Sequence, residues 1–428
     1  MESLVYRLKE NNKRQKILLF LLGVTLSIFT LIFFDFFNLQ SLYKAETEAT
    51  EEEQPVLTTP EESVIPTPII DKKVKVCEYN YVLNEVVSGV DKEDNIQDVI
   101  KYQNNKVGLY IYAEVSEFSK LASEMVNSNG GEWGYVLIPY NIKDRDLTRW
   151  GSLFDRLKEL KLIPIIQLHD IDTDVNKARE QTKEGADFLN SLKWPIKNRY
   201  ISVYNEPNDA NFWKGKIDPQ GYARILDDTI IFFKNTNPAF FIMNGAFNSS
   251  ARTGVGHLDT REYMRQMNNE VPGIFEKLDG WASHPYPQPN FSGSPKSTGR
   301  DSIQAYKWEL DILRNDFGID SNRMPVFITE TGWAHQEGSE ERSDYLDKYK
   351  TADFIREAFE KVWLPDKNIV AITPFTIFYE PPHDHFSWVD NDLKPYPQFL
   401  AVKDIKKVKG KPPIVDYIKS KVLECKYE

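Results

Sequence analysis

From about residue 106 the sequence repeats one unit eight times: a short apolar run, then a longer amphipathic stretch. The apolar runs fall at 107–111, 134–139, 163–168, 200–204, 240–244, 280–283, 326–329 and 369–375. The stretches between and after them read as helices over 116–126, 147–160, 175–192, 219–234, 260–278, 302–317, 343–362 and 398–406. Runs this short and nearly continuous are what strands buried on both faces look like. Helices with one apolar stripe suit an outer ring. Eight such units over about 300 residues predict an α/β fold, a (β/α)8 barrel. An open doubly wound sheet is the other parallel architecture, but no Gly-rich phosphate turn follows the first strand.

The chain has 428 residues, room for this domain and appendages. Residues 1–16 carry Arg7, Lys9, Lys13, Arg14 and Lys16 against Glu2 and Glu10. Residues 17–34 are 18 positions without a charge, long enough to cross a bilayer as a helix. The basic flank precedes them, so the N-terminus is expected in the cytoplasm and the remainder outside. A cleaved signal peptide is the competing reading. It wants a shorter apolar core and a small-residue cut site, and Phe36-Phe37-Asn38-Leu39-Gln40 supplies none. Next comes a stretch rich in Glu, Thr and Pro, including Glu51, Glu52, Glu53, Pro55 and Pro60. It cannot bury enough apolar area to offset chain entropy. The expected organisation is a cytoplasmic tail at 1–16, a transmembrane helix at 17–37, a disordered stalk at 38–70 and the barrel domain at 71–428. Residues 71–105 are expected to plug or flank the barrel bottom.

A net charge of −11 argues against a nucleic-acid partner, which would want a basic surface. The local run Lys403, Lys406, Lys407, Lys409 and Lys411 reads as a solvated helix face and tail. The two cysteines, Cys77 and Cys425, lie near the two ends of the folded part. A barrel brings its first and last elements together, so one disulfide outside the cell is expected; two unrelated thiols are the alternative.

Two motifs carry chemistry. Tyr204-Asn205-Glu206-Pro207-Asn208 follows the fourth apolar run, and Thr329-Glu330-Thr331-Gly332-Trp333 ends the seventh. The glutamates are 330 − 206 = 124 residues apart. A parallel barrel can still gather them, because all its strands end on one face. Two carboxyls facing each other across a cleft can cleave a glycosidic bond. One protonates the leaving oxygen and the other attacks the sugar. Taken singly, Glu206 before Pro207 also reads as an ordinary helix-start carboxylate.

On these residues the chain resembles the clan GH-A glycoside hydrolases, retaining enzymes on β/α barrels of the family 5 and 39 type. The resemblance spans about residues 106–407. It implies an O-glycosyl hydrolase acting by double displacement on a β-linked polysaccharide or oligosaccharide. Glu206 would be the acid/base, Glu330 the nucleophile, and Asn205 a donor to the sugar 2-hydroxyl. His284-Pro285-Tyr286-Pro287 follows the sixth run, and the resemblance makes Tyr286 a donor to Glu330 and His284 a pocket residue. His169, after the third run, is a further candidate contact to substrate.

Aromatics at strand ends could stack on sugars: Trp333 first, then Trp213 and Trp388. Trp150 and Trp194 read as structural. The resemblance calls for a tryptophan at the end of strand eight, but Pro374-Phe375-Thr376-Ile377-Phe378-Tyr379 has none. Phe378, Tyr379 or a folded-back Trp388 would have to serve. A catalytically inactive carbohydrate-binding barrel is the alternative function. The six histidines form no H-E-x-x-H motif, and His383-Asp384-His385 is the one close pair. No metal and no cofactor are expected. The barrel is expected to act as a monomer.

Overall fold

The computed structural model describes residues 75–88, 99–113 and 115–427. The predicted tail, membrane helix and stalk lie outside these residues. Among the described residues no helix is long and apolar enough to cross a membrane.

After a first strand β1 (Lys75–Ser88) come eight parallel strands: β2 (Gly108–Tyr110), β3 (Gly134–Asn141), β4 (Leu162–His169), β5 (Arg199–Asn205), β6 (Phe240–Ala246), β7 (Trp281–Ser283), β8 (Val326–Ile328) and β9 (Ile369–Ile372). Strands β2 to β6 are hydrogen-bonded in order, as are β7 to β9. Two parallel bridges complete the circle, Met243 with Gly280 and Val107 with Ile372. The sheet is therefore a closed eight-stranded barrel. A helix follows each strand: α1 (Ser116–Val126), α2 (Leu147–Glu159), α3 (Val175–Ser191), α4 (Pro219–Thr236), α5 (Thr260–Glu270), α6 (Ala305–Phe317), α7 (Lys348–Ala358) and α8 (Pro397–Asp404).

Local chemistry sets these helix boundaries. Asp146, Asp174, Asp218, Asp259 and Asp347 each precede a helix and accept backbone N–H groups of its first turn. Each satisfies donors that the helix leaves open, a contribution of about 1 kcal/mol. α7 accordingly starts at Lys348, five residues later than the apolar pattern implied. α5 stops at Glu270, because Val271 precedes Pro272 and a residue before proline avoids helical backbone. α6 ends on Gly318 at φ +72°, whose freedom from a Cβ lets the chain reverse.

Side chains alternate between two cores. Tyr135, Leu137, Ile163, Ile165, Tyr200, Phe241, Met243 and Phe327 pack inside the barrel. Val136, Ile138, Ile166, Ile201, Ile242 and Ile328 face outward to the helices. Rings fill the lower interior, with Tyr200 5.2 Å from Phe241 and 5.1 Å from Phe327 between centroids. Residues 99–105, the described part of the segment directly before β2, flank the barrel bottom. Val99 is buried in the inner cluster beside Trp133, Tyr135 Oη donates to Asn104 Oδ1 at 2.9 Å, and the Lys411 N–H donates to Gln103 O at 2.8 Å.

Two features depart from the expectations. The chain ends form a ribbon: β1 pairs antiparallel with β10 (Ile414–Tyr427), from Lys75 opposite Tyr427 to Ser88 opposite Ile414. Cys77 faces Cys425, and their sulfurs are bonded. The base of the ribbon is tied to the barrel bottom through Glu85 with Arg199 and Lys197, and through Tyr417 Oη donating to Trp194 O. Farther out it stands away from the barrel, with Tyr79 and Tyr81 more than 60 % exposed. The second correction concerns the lysine run. Lys407 is buried, not solvated. Its Nζ donates to the carbonyls of Val402 (2.7 Å) and Ile405 (3.0 Å) and to Ser128 Oγ (3.0 Å), closing the end of α8. Burial lowers its pKa to about 8.

Candidate active site

The mouth of the barrel is its C-terminal rim, where all eight strands end. Glu206 directly follows β5, the fourth barrel strand, and Glu330 lies two residues beyond β8, the seventh. Both are more than nine-tenths buried. The backbone at Tyr204 and Glu206 has φ +74° and +35°, conformations that cost about 1–3 kcal/mol each for a residue with a Cβ. Neighbouring backbone holds them there. The Glu206 N–H donates to Ala246 O at 3.0 Å, and the Asp209 N–H donates to Glu206 O at 2.9 Å. Past Glu330 the chain turns through Gly332 at φ +148°, where a Cβ would also lie 3.3 Å from Phe375 O.

One imidazole stands between the two carboxyls. His284 follows β7; its Nδ1 lies 3.0 Å from Glu206 Oε1 and its Nε2 3.8 Å from Glu330 Oε1. Nε2 makes no hydrogen bond. Burial lowers the His284 pKa and favours the neutral ring, against the pull of Glu330 and Glu309. Glu330 also takes a hydrogen bond from Tyr286 Oη at 3.1 Å. Gln167, facing inward near the end of β4, reaches Glu330 Oε1 at 3.5 Å and donates to Asn205 Oδ1 at 3.2 Å. That contact fixes the Asn205 amide with its NH2 left to donate. Tyr110 Oη closes the set on Gln167 Oε1 at 3.5 Å.

Electrostatics separate the two acids. Burial pushes Glu206 up to about 8; the charge of Asp209 adds to this and that of His257 opposes it. Burial raises Glu330 as well, with the Glu206 charge adding to the rise. His284 and the hydrogen bonds from Gln167 and Tyr286 counter it. Apart from His284, Glu206 has no side-chain donor to stabilise its ionised form, whereas Glu330 has two, Gln167 and Tyr286.

Asn205, Glu206, His284, Tyr286 and Glu330 thus come together at one point. His169 closes β4 on the same rim, half-buried. The tryptophans do not supply open platforms. Trp333 is 2 % exposed, its Nε1 donates to Gly293 O at 2.7 Å, and its ring packs against Phe354 and Trp363. Trp213 is buried against Tyr204 and Tyr222, and Trp388 lies in the outer core. Phe378 turns toward Phe118 of α1. The open aromatic surface at the end of β9 is instead half-buried Phe375, 5.1 Å from Tyr110 and 5.3 Å from half-buried Tyr379 between centroids.

Gln167, Tyr110, Phe375, Asp209 and His257 escaped the sequence reading. Gln167 had a signal, since a polar residue inside an otherwise apolar strand needs a partner. Beyond Tyr379 the rim opens into a cavity of about 600 Å³ with Glu337, Glu380, Asp384 and Asp390 in its wall. Among the described residues no group of three or more His, Cys, Asp or Glu could hold a metal ion. His383-Asp384-His385 runs into a short 3-10 turn, in which His385 Nδ1 contacts His335 O at 2.8 Å.

No family model and no curated protein sequence matches the chain. Among solved structures it is similar to an endo-β-1,3-glucanase of GH128 subgroup II from Pseudomonas viridiflava, at 15 % identity and a TM-score of 0.45, covering 71 % of this chain and 98 % of that one. It is similar to a β-glucanase from Saccharophagus degradans, at 17 % identity and a TM-score of 0.45, covering 70 % and 86 %. A fungal β-1,4-galactanase gives 14 % identity and a TM-score of 0.47, covering 70 % and 94 %. The barrel assignment stands on strand order and closure, independently of these likenesses.

Proposed function

We propose that this chain is a retaining glycoside hydrolase that cleaves O-glycosidic bonds in a β-linked polysaccharide or oligosaccharide. Glu206 is the acid/base and Glu330 the nucleophile. The observation that carries the reading is the pair of buried glutamates on either side of His284, one with its pKa pushed up to about 8 and the other with two side-chain donors.

In this reading Glu206 is protonated when substrate enters. Its O–H donates to His284 Nδ1, so a neutral imidazole carries its proton on Nε2, toward Glu330. The Glu206 proton passes to the glycosidic oxygen as the bond to the anomeric carbon breaks. A Glu330 oxygen bonds that carbon and gives a glycosyl ester. Glu206, now a carboxylate, takes a proton from water; the water oxygen displaces Glu330 and the sugar leaves with its configuration retained. The Asn205 amide donates to the sugar 2-hydroxyl. Phe375 and Tyr379 form the stacking surface at the end of β9, where the sequence lacks the tryptophan.

We place the barrel outside the membrane, held by the N-terminal apolar segment, with secretion after cleavage as the alternative. The Cys77–Cys425 disulfide supports an oxidising compartment. A hydrolysis screen over β-glucans, mannans, xylans and galactans, read by mass spectrometry, tests the activity. At least one should be cut by the parent protein and by neither Glu206→Gln nor Glu330→Gln. Full activity in either variant would sink the assignment.

A further inference from the structure

The loop after β6 carries a histidine whose two ring nitrogens both face acceptors. His257 Nδ1 lies 3.1 Å from Val255 O, and Nε2 lies 3.1 Å from Asp209 Oδ2. A carbonyl oxygen cannot donate, so Nδ1 bears a proton. Asp209 Oδ1 accepts the Asn211 N–H at 2.9 Å, which leaves Oδ2 to accept from Nε2. Each contact then has one donor and one acceptor when the pair shares a single proton between Nε2 and Oδ2, and because a carboxyl is the stronger acid that form is an imidazolium beside a carboxylate. The Asp209 side chain is 8 % exposed and that of His257 37 %, so the carboxylate is enclosed while the imidazole reaches solvent.

The pair belongs to the wall that holds Glu206. Its two loops are stitched by an Asp209–His257 bridge, by Ala210 N–H to Gly256 O (2.8 Å) and by Leu258 N–H to Asn208 O (3.0 Å). Asn208 ties them again through Asn248 O and Leu258 O. Asp209 also braces the strained Glu206 backbone by donating its N–H to Glu206 O. The remaining charged groups of the His257 loop are engaged elsewhere, Arg252 with Asp301 and Asp259 with Arg300. The other titratable groups around Glu206 are His284, Glu330 and Tyr286.

We propose that Asp209 and His257 are positioning residues that hold one proton beside Glu206, and that their charge state sets the pH range in which Glu206 acts as an acid. The proposal rests on the glycosidase reading for its meaning in catalysis, but not for its electrostatics. The Asp209 charge favours the protonated Glu206 carboxyl, and the His257 charge opposes it. Without the imidazolium, Asp209 stands uncompensated and prolongs the acid form. Loss of the carboxylate shortens it.

The test titrates Glu206 itself in the full-length chain. The infrared band of its protonated carboxyl is identified as the one lost in Glu206→Gln. His257→Gln should move the midpoint up and Asp209→Asn should move it down, each by about half to one pH unit. His257→Arg, a permanent cation, should hold it at or below the parent value. The alkaline limb of kcat/KM on a hydrolysed β-glycan should follow the same order. Shifts of one sign in both variants, or none, overturn the proposal. Opposite shifts in a protein that hydrolyses no glycan uphold the pair and remove the glycosidase reading instead.

Discussion

His284 Nδ1 stands 3.0 Å from Glu206 Oε1, and the other nitrogen of the same ring stands 3.8 Å from Glu330 Oε1. A neutral imidazole has one N–H, so it serves one carboxylate at a time. It can accept from a protonated Glu206 while directing its own proton to an ionised Glu330. This ties the protonation of the two acids together, and the expected pH dependence follows from it.

Activity requires Glu206 protonated and Glu330 ionised, so kcat/KM should be bell-shaped. The alkaline limb should lie near 8, where Glu206 loses its proton. The acid limb should lie above the ordinary glutamate value, because burial raises Glu330. A pH series on any cleaved substrate checks both. An alkaline limb below 6 would remove Glu206 as the acid.

The same shift appears in stability. Glu206 keeps its proton to about 8 in the folded chain, against an ordinary value of 4.5. Between these values the folded state binds more protons than the unfolded one, so this contribution is complete below 4.5 and falls as pH rises toward 8. Glu206→Gln carries no such charge. At ~1.36 kcal/mol per pKa unit it should gain a few kcal/mol on the parent above pH ~8, and little below pH ~4.5. Urea unfolding of both proteins across this range measures it; a constant difference would contradict the shift.

Tyr286→Phe removes a donor to Glu330 without changing the shape of the ring. A hydrogen bond to a charged group contributes about 1.5–3 kcal/mol, so kcat should fall about 10- to 100-fold. The acid limb should also move upward, because the Tyr286 bond counters the rise of Glu330. Unchanged kinetics would separate Tyr286 from the reaction.

The ribbon and the reacting groups lie at opposite ends of the barrel. Cys77→Ser with Cys425→Ser should leave kcat within about two-fold, since the outer ribbon touches none of the groups at the mouth. Two strands alone are marginally stable, so Tyr79, Tyr81 and Leu83 should become cleavable by chymotrypsin. Lys407→Met, on the same side of the fold, should cost about 1–3 kcal/mol by leaving the Ile405 carbonyl without its donor and removing a second donor from the Val402 carbonyl, with kcat unaffected. Thermal unfolding and limited proteolysis read both variants.

The barrel was legible because its periodicity is local: each strand is a short, nearly continuous apolar run and five helices begin at an aspartate. The meeting of Glu206 with Glu330 was legible because strand ends in a barrel share one face. What escaped depends on pairings that no local pattern encodes. The disulfide between Cys77 and Cys425 was expected, but the ribbon around it was not, because the described outer residues of β1 and β10 are mostly exposed and show no buried stripe. His257 meets Asp209 across two loops of irregular backbone. Trp333 stands three residues after Glu330, yet the turn at Gly332 sends it into the wall behind the cleft. Lys407 looks solvated in a lysine run until the open carbonyls of α8 are seen to need a donor.

The central claim is that Glu330 attacks the sugar while Glu206 manages the proton. Incubation with aryl 2-deoxy-2-fluoro-β-glycosides of several sugars, followed by peptide mass spectrometry, tests it most directly. With a matching sugar, one glycosyl unit should be found esterified to Glu330, and Glu330→Gln should take up none. A label on Glu206 or on another residue, or a product released with inverted configuration, would contradict the account.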